Sequence, residues 1–110
     1  MDLPKNVIAF DCDGTISLSN GNVTPEQLAI LVSHGNIVVI VSPSGACVSL
    51  PYPRIVDGAT RLDNLKKVKI AFSGDNYYYV SDNPGDDQVS KEAGFTYIHP
   101  SQFNIVVFVT

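Results

Sequence analysis

The chain has few basic side chains and no long apolar run. Among its 110 residues, seven are Lys or Arg and eleven are Asp or Glu, so the formal charge is −4. A chain with this balance has no positive field, and we expect no non-specific binding of nucleic acid. No apolar run approaches the roughly 20 residues that span a bilayer, so we also expect no membrane partner.

Cysteine is also scarce, since only Cys12 and Cys47 are present. Two cysteines do not make the disulfide framework of a small secreted domain, and their spacing is not that of zinc ligands. Residues 1–5 lack the charged and apolar segments of a signal sequence. We therefore expect a soluble, cytoplasmic protein with reduced cysteines.

Apolar residues, in contrast, make up 45% of the chain. This share is typical of a folded globule, and the length suits one domain over residues 1–110 with one core. A ligand site is then expected on the rim of that domain or at a partner interface.

Short apolar runs alternate with helix-like stretches, a pattern typical of a parallel sheet with crossover helices. The predicted strands are 7–11, 37–42, 54–57, 77–81 and 96–98. The apolar run 105–109 is a further strand candidate, so five or six strands are expected. If that last run is exposed, it is a candidate surface for homo-oligomer formation.

Three helices are predicted between these strands. The first starts at Thr24-Pro25-Glu26-Gln27, which reads as a capping box, and extends to His34. The second opens at Thr60. The third begins at Asp86 or Asp87 and ends at Glu92 or Ala93, before Gly94.

Two acids, Asp11 and Asp13, directly follow the first predicted strand. In a parallel sheet, ligand sites open at the carboxyl ends of the strands. Residues two apart on an extended backbone share a face, so the two carboxylates lie side by side and Cys12 points the other way. A bound cation or a proton on one acid would relieve their repulsion. The alternative is a simple turn at Asp13-Gly14.

A second acidic segment, Ser81-Asp82-Asn83-Pro84-Gly85-Asp86, follows the strand predicted at 77–81. A short helix and Ala93-Gly94-Phe95 come next. Together with Asp11-Cys12-Asp13-Gly14-Thr15-Ile16, this segment resembles the motifs of the haloacid dehalogenase-like (HAD) superfamily of phosphohydrolases. The resemblance extends over nearly the whole chain in the order of elements, but the motifs agree in detail only in these segments.

The resemblance implies a reaction and assigns residues to it. Asp11 would be the nucleophile that forms an aspartyl phosphate. Asp13 would be the general acid and base. Ser42, at the end of the strand predicted at 37–42, would donate a hydrogen bond to a phosphoryl oxygen. Its neighbour Ser44 is assigned to the turn.

The resemblance also implies a Mg²⁺ ion held by Asp11, the backbone carbonyl of Asp13, and Asp82. Oxygen ligands and retained waters suit that ion. Asp86 would be a further ligand or would support bound waters. Asp87 has a simpler explanation, because an acid in the first turn of a helix interacts favourably with the helix dipole.

A basic residue should neutralise the nucleophile and the phosphate, and three candidates are open. Arg61 matches the family position that usually carries Lys, although Arg makes forked contacts whereas Lys acts as a point charge. Lys66 is the next candidate. Lys67 is a further rival, and both lysines are also typical of a solvated helix face.

Relatives often carry an inserted cap domain, for which this chain has no room. Residues 17–23 allow only a small flap, and two residues separate Asp57 from Thr60. We therefore expect an open site, suited to a phosphate on a bulky substrate or to a lid from another subunit.

The predicted protein is a capless, three-layer Rossmann-like (HAD-like) α/β domain with helices on both faces of its sheet. Its predicted activity is Mg²⁺-dependent hydrolysis of a phosphomonoester of unknown class. The main alternative is a non-catalytic module that binds metal or a phosphorylated partner. A dehalogenase is less favoured because carbon displacement needs no second acid. A receiver-like domain would carry its phosphoryl group on Asp57.

Overall fold

The computed structural model describes residues 4–109. Its sheet has four parallel strands, β1 (Asn6–Phe10), β2 (Ile37–Ile40), β3 (Asn76–Val80) and β4 (Thr96–Ile98). Their order is β2-β1-β3-β4, so β1 is central, and Ile8 pairs with Val38 on one side and with Tyr78 on the other. Four of the predicted strands are thus confirmed. Residues 1–3, which are part of the segment expected to lack a signal sequence, lie outside the described residues.

The prediction of five or six strands is wrong for residues 4–109, where the sheet has four. At 54–57 only Arg54 pairs, through an isolated bridge to Ile40. Pro51 and Pro53 precede it, and a residue without an N–H cannot continue a ladder. The run 105–109 forms a 3₁₀-helix, Ile105–Phe108, in which the side chain of Asn104 accepts from the Val106 N–H at 3.0 Å. This local side-chain bond favours a turn over a strand.

The three predicted helices are confirmed as α1 (Pro25–Ser33), α2 (Arg61–Ala71) and α3 (Asp86–Ala93). Thr24 and Gln27 form the predicted capping box at the start of α1. The Thr60 side chain caps α2 by accepting from the Asp63 N–H. Gly94 ends α3 with φ of 83°, a conformation that side chains disfavour.

Helices cover both faces of the sheet, as predicted. On one face Ile8 and Phe10 pack with the α1 residues Leu28 and Leu31. On the other face the core contains Val7, Ala9, Leu65, Val68 and Phe95. Because alternate residues of β1 point to opposite faces, both of its faces are apolar, as a central strand requires.

The two cysteines form a disulfide, so the expectation of reduced cysteines is wrong. Cys12 follows β1, Cys47 ends a 3₁₀-helix (Gly45–Cys47) that follows β2, and their Cα atoms are 6.2 Å apart. Both side chains are buried. Their spacing of 35 residues did not indicate a disulfide. The two cysteines meet because β1 pairs with β2, which brings the loops after these strands to one edge of the sheet. The cytoplasmic location stays a prediction.

Within residues 4–109, no helix combines the length and the apolar character that a membrane span requires.

Replacing both cysteines, Cys12→Ala with Cys47→Val, should lower the free energy of unfolding. The pair keeps most of the apolar volume but frees a 35-residue loop in the unfolded chain, which costs about 4 kcal/mol in the loop-entropy account. Urea denaturation of the oxidised wild type and of the variant measures the loss. The wild type in reductant should lose a similar amount, and equal midpoints in all three samples would contradict the prediction.

Candidate functional site

An open cleft lies at the carboxyl edge of the sheet, where β1, β2 and β3 end. Its volume is about 530 Å³. Five of the six predicted site residues line it: Asp11, Asp13, Ser42, Arg61 and Asp82. The topology therefore brings together side chains that are far apart in the sequence.

Asp11 is the most buried acid in the cleft, with 8% of its surface exposed. Its backbone N–H donates to the Val80 carbonyl at 3.0 Å, which ties the residue to the end of β3. Burial raises the pKa of the Asp11 carboxyl, and the nearby Asp82 and Asp86 raise it further, whereas Arg61 opposes the shift. The negative form of Asp11 is therefore costly and depends on a nearby positive charge.

The two acidic segments are in direct contact at Gly14. This residue has φ of 73°, and a Cβ built on it would collide with the carboxylate of Asp82. Only glycine lets the loop after β1 approach Asp82 this closely. The contact holds Asp82 over the same cleft as Asp11.

Asp13 is exposed and is held by two hydroxyl groups. Its Oδ1 accepts from Ser19 Oγ at 2.5 Å and from Ser44 Oγ at 3.0 Å. These hydrogen bonds lower the pKa of the Asp13 carboxyl. Without a ligand, Asp13 is therefore a carboxylate at neutral pH, the form that accepts a proton.

Ser42 is buried, and the segment after it forms a tight turn beside the cleft. Its Oγ accepts from the Ser44 N–H at 3.2 Å. Arg54 stabilises this turn, because its Nη2 donates to the Ser42 carbonyl at 2.9 Å and to that of Ser44 at 3.4 Å. Arg54 thus holds the backbone that carries both serines.

Arg61 is fixed by a buried network behind the cleft. Its Nη1 donates to Asp86 Oδ2 at 2.9 Å and to Tyr79 Oη at 2.5 Å, and lies 3.8 Å from Asp11 Oδ1. Ser81 Oγ donates to the same Asp86 oxygen at 2.5 Å. Burial raises the pKa of Tyr79, so its hydroxyl stays neutral. Asp86 therefore orients Arg61 and does not line the cleft itself.

The two lysine candidates lie elsewhere. Lys67 Nζ pairs with Asp57 Oδ2 at 3.1 Å, and Lys66 is exposed. Of the three basic candidates, Arg61 is the one that lines the cleft.

The donor set suits Mg²⁺ in part. Asp11 and Asp82 offer two carboxylates to the cleft, and Mg²⁺ is typically bound by one or two carboxylates while it keeps several waters. Within residues 4–109, no group of three or more His, Cys, Asp and Glu side chains is arranged to hold a metal. Because Oδ2 of Asp86 already accepts from Arg61 and Ser81, the cluster fits a weakly coordinated, hydrated ion better than a closed metal site.

Sequence reasoning missed three residues that shape the site. Ser44, assigned to the turn, caps the helix at 45–47 and also contacts Asp13. Ser19 belongs to the short flap, whose 3₁₀-helix (Ser17–Ser19) folds against the loop after β1 through a 2.7 Å bond from the Gly14 N–H to the Ser19 carbonyl. Tyr79 was predicted only to be a strand residue. Small hydroxyls in loops and a tyrosine within a strand have no distinctive pattern, so no sequence signal distinguished these three residues.

Ser44→Ala should raise the pKa of Asp13 in the metal-free protein, because one of the two hydrogen bonds to the carboxylate is lost. A carbon-13 NMR titration of the Asp13 carboxyl measures the shift. Ser33→Ala, which removes a hydroxyl bonded only within α1, is the matched control and should leave the pKa unchanged. An unchanged value in Ser44→Ala would contradict the reading of this contact.

Asp11→Asn should stabilise the metal-free fold at pH 7. The folded protein holds a proton on Asp11 to higher pH than the unfolded chain does, so stability falls as pH rises through the raised pKa. The variant has no carboxyl at this position, so this loss of stability does not occur in it. The difference in the free energy of unfolding between variant and wild type should vanish near pH 3, where the wild-type carboxyl is protonated in both the folded and the unfolded state. Urea unfolding at the two pH values tests this; a variant less stable than wild type at pH 7 would refute it.

In comparisons with known proteins, no family model, no curated protein and no solved structure matches the chain.

Proposed function

We propose that the chain is a Mg²⁺-dependent phosphatase of the HAD type that hydrolyses phosphomonoesters through an aspartyl phosphate on Asp11. The observation that carries this proposal is the shared cleft: Asp11, Asp13, Ser42, Arg61 and Asp82 come from the ends of three strands and the start of α2 and line one open space. A structural role gives no reason for three acids, one guanidinium and a hydroxyl to converge there.

The chemistry has two balanced steps. In the first, a carboxylate oxygen of Asp11 attacks phosphorus in line, the ester P–O bond breaks, and Asp13 gives a proton to the leaving oxygen. In the second, Asp13 takes a proton from water, whose oxygen attacks phosphorus; phosphate leaves and the Asp11 carboxylate is restored. Asp13 must be protonated for the first step. The negative charge of a bound phosphate raises the pKa of Asp13 and so favours that form.

Arg61 and Ser42 would bind the phosphoryl group. The Arg61 guanidinium lies 3.8 Å from Asp11 Oδ1, so it can neutralise both the nucleophile and the incoming phosphate. The buried Asp86, Ser81 and Tyr79 keep it oriented before substrate arrives, which reduces the reorganisation needed in the transition state. The Ser42 hydroxyl would donate to a phosphoryl oxygen.

Mg²⁺ would be held by Asp11, Asp82 and the carbonyl of Asp13, and it would neutralise charge on the phosphoryl oxygens. The negative charge of Asp82 raises the pKa of the Asp11 carboxyl and so disfavours the ionised form of Asp11. A bound divalent ion would remove this cost.

The cleft is open, which favours a phosphate on a bulky group such as a protein or a nucleic-acid end. The flap at 17–19 is one short turn and leaves the cleft exposed. Small substrates would find few contacts beyond their phosphate, so we expect weak selectivity among them.

A non-catalytic module remains the second candidate function. It is favoured by the small number of carboxylates available to a metal and by the raised pKa of Asp11, which disfavours the ionised form that a nucleophile needs. A receiver-like role for Asp57 is less favoured, because this residue pairs with Lys67 and does not line the cleft.

Two earlier expectations stay proposals. The cytoplasmic location is one of them. Self-association through the apolar segment near the carboxyl terminus is the other, and Val106 and Val107 are 59% and 65% exposed there. Sedimentation of the purified protein measures the oligomeric state.

Asp11→Asn should abolish hydrolysis of an aryl phosphate in Mg²⁺, with a loss of about a thousandfold or more, because the nucleophile is gone. Asp82→Asn should raise the Mg²⁺ concentration needed for half-maximal rate by at least about tenfold. Release of the aryl alcohol, followed by absorbance, measures both.

The matched control for these variants is Asp87→Asn. Asp87 is an acid in the same helical turn as Asp86, but it pairs with Lys91 and does not line the cleft. Its rate should remain within about twofold of wild type. Equal rates in wild type and Asp11→Asn would favour the binding module instead.

A further inference from the structure

The Cys12–Cys47 disulfide joins two of the loops beside the cleft, those that follow β1 and β2. Cys12 stands between Asp11 and Asp13, and Cys47 ends the 3₁₀-helix Gly45–Cys47. Its location is notable because a cross-link placed for general stability has no need to fall inside the acidic motif.

Ser44 connects this helix to Asp13. Its Oγ accepts from the Ala46 N–H at 3.3 Å and donates to Asp13 Oδ1 at 3.0 Å. Arg54 holds the Ser44 backbone, so the helix acts on the orientation of the Ser44 hydroxyl through the bond from the Ala46 N–H.

Few hydrogen bonds hold the segment 45–48, although its helix touches the helix Ser17–Ser19 and the Cys47 side chain is buried in the core. The backbone bonds of this segment, from the Val48 N–H to the Gly45 carbonyl and from the Leu50 N–H to the Cys47 carbonyl, are local. A Cβ on Gly45 would meet open space, and Val48 is 65% exposed. Arg54 fixes the backbone only as far as Ser44. The buried disulfide is thus the strong link between this segment and the loop after β1.

We infer that the disulfide positions Asp13 by holding the helix Gly45–Cys47, and with it the Ser44 hydroxyl, against the loop after β1. Cys47 is then a positioning residue that acts through Ser44. The structural part of this inference stands without the proposed function; its effect on turnover rests on that function.

The first test compares backbone order in the oxidised wild type and in Cys12→Ala/Cys47→Val by nitrogen-15 relaxation. The amides of Ala46 and Val48 should fall from an order parameter of about 0.85 to below about 0.6, while those of β1 stay near 0.85. Unchanged order at both amides would overturn the inference. Loss of order in β1 as well would also overturn it, because the bond would then support the whole fold.

Reduction provides the same comparison without mutation. Dithiothreitol gives two electrons and two protons to the cysteine pair, the S–S bond breaks, and the reagent becomes its cyclic disulfide. The reduced wild type should show the same local loss of order as the variant. Val68→Ala, which removes core volume on the opposite face of the sheet, is the control for lowered stability and should keep Ala46 and Val48 ordered.

The second test is a double-mutant cycle in turnover. The cysteine variant and Ser44→Ala should each lower kcat by about tenfold, with KM changed by less than about twofold, and the combined variant should be no slower than either. Additive losses would contradict the route through Ser44. If the oxidised wild type has no activity, the proposed function fails, and the relaxation result alone decides the inference.

Discussion

The electrostatic balance around Asp11 is the constraint on which the candidate site depends. Because β1 lies between β2 and β3, the acids that follow β1 and β3 meet at one edge of the sheet. Burial and the neighbouring acids disfavour the charge on Asp11, and Arg61 opposes them. Arg61 is in turn held by Asp86. A divalent cation would relieve this repulsion between carboxylates, and groups with perturbed pKa values of this kind are common in ligand-binding and catalytic sites.

A second set of interactions acts on Asp13. The hydroxyls of Ser19 and Ser44 donate hydrogen bonds to Asp13 and stabilise its carboxylate, as the Arg61 charge does for Asp11. Ser19 lies in the 3₁₀-helix Ser17–Ser19 and Ser44 caps the 3₁₀-helix Gly45–Cys47, and these two short helices are in contact. Such segments have few internal hydrogen bonds. The disulfide at Cys47 therefore adds a covalent restraint to the helix Gly45–Cys47.

Sequence patterns predicted the central features because their signals are local. The apolar runs of β1 and β2, the capping box at Thr24 and the glycine after α3 each depend on neighbouring residues. Asp11 and Asp82 were expected at one edge of the sheet because each follows a predicted parallel strand. The disulfide and the Ser44 contact could not be predicted in this way, because both arise from the approach of two loops in space. The prediction of a strand at 105–109 was wrong because the apolar composition favours a strand, whereas the Asn104 side chain starts a turn.

The central claim is that Asp11 accepts a phosphoryl group beside a Mg²⁺ ion held by Asp82. The most direct test is a crystal structure of the protein with Mg²⁺ and beryllium trifluoride, which mimics a phosphoryl group on a carboxylate. The account predicts beryllium bonded to an Asp11 oxygen, with Arg61 and Ser42 in contact with the fluorides and the ion on Asp82. Beryllium on Asp57, or an ion that does not contact Asp82, would contradict it.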